Sequence, residues 1–126
     1  MDYEQIKEAL ESYNTTRIQI GILKDELESI KRTGLSAMGH EDTNPEENET
    51  YKSELENKMF NMTKKLAIID KAMGALNQLS KEIIIRKVIN DEPYYKVCGD
   101  LHIGERYARK IKKRSILKME EIINQD

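Results

Sequence analysis

The chain has 126 residues, of which 35% are charged and 6% aromatic, with two prolines, six glycines and no tryptophan. That composition favours helix almost throughout and a core of modest size. The net charge of −2 conceals a polarity, because residues 1–60 sum to −7 and residues 61–126 to +5; a basic half of this kind points to a polyanionic partner. The lone cysteine, Cys98, excludes an intramolecular disulfide and fits a reducing compartment. The acidic, amphipathic segment MDYEQIKEAL has none of the apolar run expected of a signal peptide. No run approaches the ~18 apolar residues of a spanning helix, so no membrane partner is expected and the expected location is the cytoplasm.

The first predicted element is a helix from about Tyr3 to Arg32. Ile6, Leu10, Tyr13, Ile20 and Leu27 keep a heptad spacing, with polar Arg17 and Lys24 in the seam and Leu23 and Ile30 widening the stripe. Residues 33–49 carry two Gly, one Pro and a cluster of Ser, Thr, Asn and Asp, the composition of a loop. At its end Asn44-Pro45-Glu46-Glu47 reads as a helix start, with Asn44 as cap and acids facing the positive helix end. The second helix runs to about Leu76 through Tyr51, Leu55, Met59, Met62, Leu66, Ile69, Met73 and Leu76. The simplest arrangement is a long, coiled-coil-like antiparallel hairpin over residues 1–76, with Met62, Leu66, Ile69, Met73 and Leu76 as the seam of a homodimer.

Asn77-Gln78 interrupts the pattern. A third helix is predicted from Leu79-Ser80 to about Asn90, with Ser80 as its cap and Ile83, Ile84 and Val88 facing inward. Asn90-Asp91-Glu92 is a turn, and Pro93 fits only the first turn of a fourth, short helix that ends near Asp100 or Leu101. His102-Ile103-Gly104 is the next turn. The fifth helix, from about Glu105 to Asn124, carries seven basic residues and no acidic one between Arg106 and Lys118. Tyr107, Ala108, Ile111, Ser115 or Ile116, Met119, Ile122 and Ile123 interleave at helical spacing, giving a core-facing stripe beside a cationic flank.

A short helix, a tight turn and a basic helix make the layout of a helix-turn-helix over residues 77–126. Cys98 supplies the small residue at the crossing, Leu101 and Ile103 frame the turn, and Ala108 and Ile111 face inward. The leading end of the last helix then presents Glu105, Arg106, Tyr107, Arg109 and Lys110 to the major groove, where Arg can take guanine and Glu can accept from cytosine. Lys112, Lys113 and Arg114, with Tyr94 and His102, stand where phosphate contact is expected. Gly104 occupies the position of a capping Ser or Thr.

The segment from Leu76 to Met119 resembles region four of bacterial sigma factors: a Leu79-Ser80 helix start, then Ile84 to Val88, Val97, Leu101, Ile103, Ile111 and Met119 in the matching frame. Tyr107 and Gly104 depart from that pattern. An acidic coiled half ahead of such a module is similar to ArpU/RinA-type phage late-gene transcriptional activators. The resemblance implies a DNA-binding activator of bacteriophage late genes, acting in the bacterial host on double-stranded DNA and contacting RNA polymerase.

Two other classes remain open. One is a small-terminase-type DNA-packaging protein, although many of those carry the helix-turn-helix at the N-terminus. The other is a helical adaptor whose basic helix docks on an acidic protein surface. No catalytic triad, Gly-rich phosphate loop or metal-ligand spacing is present in the sequence. His40 and His102 are distant from each other and from further ligands. No enzyme activity, cofactor, metal or small-molecule substrate is expected.

Overall fold

The computed structural model describes residues 1–33 and 45–125, and among these every regular element is helical. The order is α1 (Tyr3–Glu11), α2 (Tyr13–Thr33), α3 (Pro45–Gly74), α4 (Gln78–Ile83) continuing as a π-helical stretch (Ile84–Ile89), α5 (Tyr94–Leu101) and α6 (Glu105–Ile123). No described helix is long and apolar enough to cross a membrane. The loop residues 34–44, with His40 and the expected Asn44 cap, lie outside the described residues; α3 begins at Pro45.

The single helix expected over residues 3–32 is two helices. Asp2 starts α1 with a capping box: its carboxylate accepts from the Gln5 amide at 2.9 Å, and the Gln5 side chain accepts from the Asp2 amide at 2.9 Å. Ser12 ends it. The Ser12 amide and hydroxyl both donate to the Glu8 carbonyl, at 3.0 and 2.9 Å. A serine bonding back onto the preceding turn competes with the helical ladder, and here the ladder breaks.

The chain divides into two compact units, residues 1–14 with 66–126, and residues 15–65. The units therefore do not follow the expected boundary at 76/77. In the first unit, the apolar stripe of α1 (Ile6, Ala9, Leu10) joins Ile69, Ala72, Met73 and Leu76 from the end of α3 in one core. Ile84, Val88 and Ile89 of the π-helical stretch and Ile116 and Met119 of α6 complete it. Tyr13 donates to Asp70 at 2.6 Å and Asn14 to Asn90 at 3.1 Å, further ties within this unit. Ile69, Met73 and Leu76, expected as a dimer seam, are thus consumed by the chain's own core, while Met62 and Leu66 are half-buried. A heptad stripe marks an apolar face, and here α1 and α6 cover it.

A second, smaller core holds Ile83, Ala108 and Ile111, flanked by Leu79, Tyr94, Cys98, Leu101 and Ile103. Neighbouring Ile83 and Ile84 thus serve different cores. The wider π turn spaces Ile84 and Ile89 five residues apart on one side, which a regular α-helix would splay. Asn77, not Ser80, caps α4: its side chain accepts from the Ser80 amide at 2.8 Å.

In the unit of residues 15–65, Leu27 and Ile30 are buried, and the Tyr51 hydroxyl donates to Glu26 at 3.4 Å, linking α3 to α2. Ile18, Ile22 and Phe60 stay 64%, 62% and 65% exposed.

Candidate nucleic-acid interface

The turn between α5 and α6 sets the geometry of the basic helix. His102 caps α5 in the left-handed conformation, with φ 56° and ψ 45°, and the Ile103 amide donates to the Cys98 carbonyl at 3.1 Å. This is the αL helix stop, filled by His instead of the usual Gly. Gly104 precedes α6 in extended backbone, with φ −80°, and open space surrounds its α-carbon. The turn needs no glycine freedom there. Leu101 and Ile103 fold onto Ala108 and Ile111, as does half-buried Cys98, while Val97 is fully buried.

α6 buries Ala108, Ile111, Ser115, Ile116 and Met119, and the Ser115 hydroxyl is satisfied by the Ile111 carbonyl at 2.7 Å. The opposite face is cationic. Glu105, Arg106, Tyr107, Arg109 and Lys110 are all exposed at its leading end, as are Lys113, Arg114 and Lys118 further along. Each of the five residues expected to face bases is therefore accessible, as is His102 in the turn.

Within that surface Arg109 is held in place. Its guanidinium bonds Glu105 one turn earlier at 3.2 Å and lies 4.4 Å from the Tyr94 ring centroid. Lys87 lies over the same ring at 4.7 Å. Such cation–π contacts pre-order a guanidinium while leaving its fork free to bond. Tyr94 is accordingly a half-buried platform beneath two cations, its hydroxyl pushed above the usual tyrosine range by burial. The direct phosphate contact expected of Tyr94 gives way to this packing role. Tyr95, 82% exposed, is the aromatic of α5 that faces solvent. Tyr107 lies on the flank of α6 that faces the start of α4, in a pocket it shares with Asn77, Ser80, Arg114 and Lys118. Lys112 is only half-exposed, on the opposite flank from Tyr107.

The positioning network behind this surface is absent from the sequence-based expectations. Arg86, in the π-helical stretch, donates to Glu92 through Nε at 3.0 Å and Nη2 at 2.9 Å, and to Asp100 through Nη2 at 2.6 Å. Lys87 donates to the Glu92 carbonyl at 3.1 Å, and Lys96 pairs with the Glu92 carboxylate at 3.4 Å. One arginine therefore ties the π-helical stretch, the 90–93 turn and α5 together. Spacing alone could have offered the i,i+4 pairs Lys87–Asp91, Glu92–Lys96 and Glu105–Arg109, but not the Arg86 contacts.

Arg86 is the main cause holding the Glu92 carboxyl below its usual range, with Lys96 contributing. The sign follows from that direction. The link contributes in full above the unfolded carboxylate's pKa of about 4.3 and fades as pH falls through the lower folded value. Thermal melting of the wild type is expected to drop more steeply below about pH 4 than that of Glu92→Gln, so the gap between them narrows in acid. A gap independent of pH would contradict this role for Glu92.

No protein-family model, no curated protein and no solved structure matches the chain.

Proposed function

We propose that the protein is a sequence-specific DNA-binding transcriptional regulator, a late-gene activator of the phage ArpU/RinA kind, and that α5, the 102–104 turn and α6 act as its helix-turn-helix. One observation carries this reading. A helix whose inner face is fixed by Ala108, Ile111, Ser115, Ile116 and Met119 offers an outer face on which Arg106, Arg109, Lys110, Lys113, Arg114 and Lys118 are exposed, with Tyr107 and Leu117 exposed among them, behind a short helix and a three-residue turn. An ordinary solvated helix intersperses acids with its bases. Here the one acid of residues 105–118, Glu105, is paired with Arg109. Glu105 and Arg109 would read base edges as a preset pair, while Lys110, Lys113 and Arg114 would hold phosphates.

One short helix reads few base pairs, so two copies are needed for useful specificity. We assign the homodimer contact to residues 15–65, where Ile18 and Ile22 of α2 and Phe60 of α3 stay exposed. Sedimentation should give the mass of two chains.

The reading is tested at Lys113. Lys113→Ala should weaken binding to every duplex alike and reduce the slope of log K against log salt by about one. A variant with wild-type affinity and slope, measured by fluorescence anisotropy across a salt series, would remove Lys113 from the interface. Wild-type protein that fails to bind duplex even in low salt would end the reading.

A further inference from the structure

Beside the reading end of α6 lies a groove that no helix-turn-helix argument requires. It is lined by Lys7 and Glu11 of α1, Lys87 and Asp91 from the π-helical stretch and its turn, and Lys112 of α6. Three ammonium groups from three separate elements meet there. Asp91 is engaged with Lys87 at 3.7 Å. Lys87 is also held by the Glu92 carbonyl at 3.1 Å and lies over the Tyr94 ring at 4.7 Å. The ring of Tyr94 also carries Arg109, so one aromatic ring links Lys87 of the groove to the residue assigned to base reading.

We propose that this groove binds a backbone phosphate of the DNA duplex, with Lys7 and Lys112 as its ligands and Lys87 at its floor, so that α1 is part of the DNA-binding unit. The inference rests on the DNA-binding reading and extends it to a helix at the other end of the sequence. Three considerations support it. Like charges gathered by folding raise the energy of the free protein, and an anion placed among them relieves that cost. The Lys112 ammonium lies below the usual lysine range, chiefly through burial and then through Lys7 and Lys87, against the opposing pull of Glu11. The position also suits a duplex. A helix seated in a major groove is flanked by two phosphate strands. Lys112 lies on one flank of α6, and Arg114 and Lys118 line the pocket on the other. The fold supplies the amine from α1 because Ile6, Ala9 and Leu10 are buried in the same core as Ile116 and Met119, which brings Lys7 alongside α6.

The test uses the full chain and a short mixed-sequence duplex, because a phosphate contact is indifferent to base sequence. Lys7→Gln should lower affinity roughly five- to tenfold at 0.1 M salt and reduce the salt slope by about one. Lys7→Arg should keep both near wild type. Lys58→Gln, an exposed lysine of α3 in the other unit, serves as the control and should change neither. Lys7→Gln and Lys112→Gln together should cost less than the product of their separate effects, because they share one phosphate. The thermal midpoint of Lys7→Gln should equal or exceed that of the wild type, since a repulsion is removed. Wild-type affinity and slope in Lys7→Gln, with Arg109→Ala still impaired, would overturn the groove and leave the DNA-binding reading standing. An equal loss in Lys58→Gln would reduce the effect to net charge and overturn the groove as well. Wild-type protein that does not bind the duplex would overturn both.

Discussion

Replacing Leu10 with alanine is expected to destabilise the unit of residues 1–14 and 66–126 by about 2–5 kcal/mol. Leu10 is fully buried in a core that also contains Ile69, Ile84, Ile116 and Met119. Truncation removes three carbons from a packed interior and leaves a cavity that surrounding helices can only partly close. The loss should appear in urea unfolding of the whole chain. It should also appear as faster amide exchange in α6, at the other end of the sequence, because α1 and α6 share that core. An isolated α1, or one in a hairpin apart from the basic helix, would give a loss below about 1 kcal/mol and leave α6 exchange unchanged.

The second large effect is expected at Arg109. Arg109→Ala should cost about 1–3 kcal/mol of discrimination at one base position, roughly a five- to 150-fold loss for the preferred base pair, with little change at the others. The geometry sharpens this expectation. Arg109 is stacked on Tyr94 and bonded to Glu105, so its fork is already ordered before DNA arrives. Lys keeps the charge but offers neither the plane nor the fork, so Arg109→Lys should recover the salt dependence without the base preference. Tyr94→Leu should blur the same position less severely, through loss of the platform. These effects can be read by selecting preferred sites from a randomised duplex pool and titrating single-position variants. A preference profile unchanged in Arg109→Ala would move base reading elsewhere on α6.

Much of the helical architecture was legible in the chain. The stops at Asn77 and Pro93 are chemical, and the buried stripe of α6 follows from the spacing of Ala108, Ile111, Ser115, Ile116 and Met119. Less legible was the partner of each stripe. The run Ile6, Leu10, Tyr13 marks an apolar face equally well whether it meets α2, α3 or α6, so periodicity alone left α1 in a hairpin. The heptad of α3 misled in the same way: Ile69, Met73 and Leu76 look like an intermolecular seam until α1 covers them. The break at Ser12 depends on a hydroxyl choosing the Glu8 carbonyl, a local competition that helix propensity does not rank. The Arg86 network was hidden because Glu92 and Asp100 are six and fourteen residues away, spacings that only the folded turn brings within reach. At the candidate interface, the cationic face could be read from sequence, whereas the Tyr94 platform and the role of Lys7 require the tertiary fold.

The central claim is that the outward face of α6 meets a DNA duplex, and its most direct measurement is amide and side-chain NMR of the full chain titrated with a short duplex. The account predicts that Glu105, Arg106, Arg109, Lys110 and Lys113 shift first and most, while Leu27, Ile30 and the rest of residues 15–65 stay near their free positions. Shifts confined to residues 15–65, or none at saturating duplex in low salt, would contradict it.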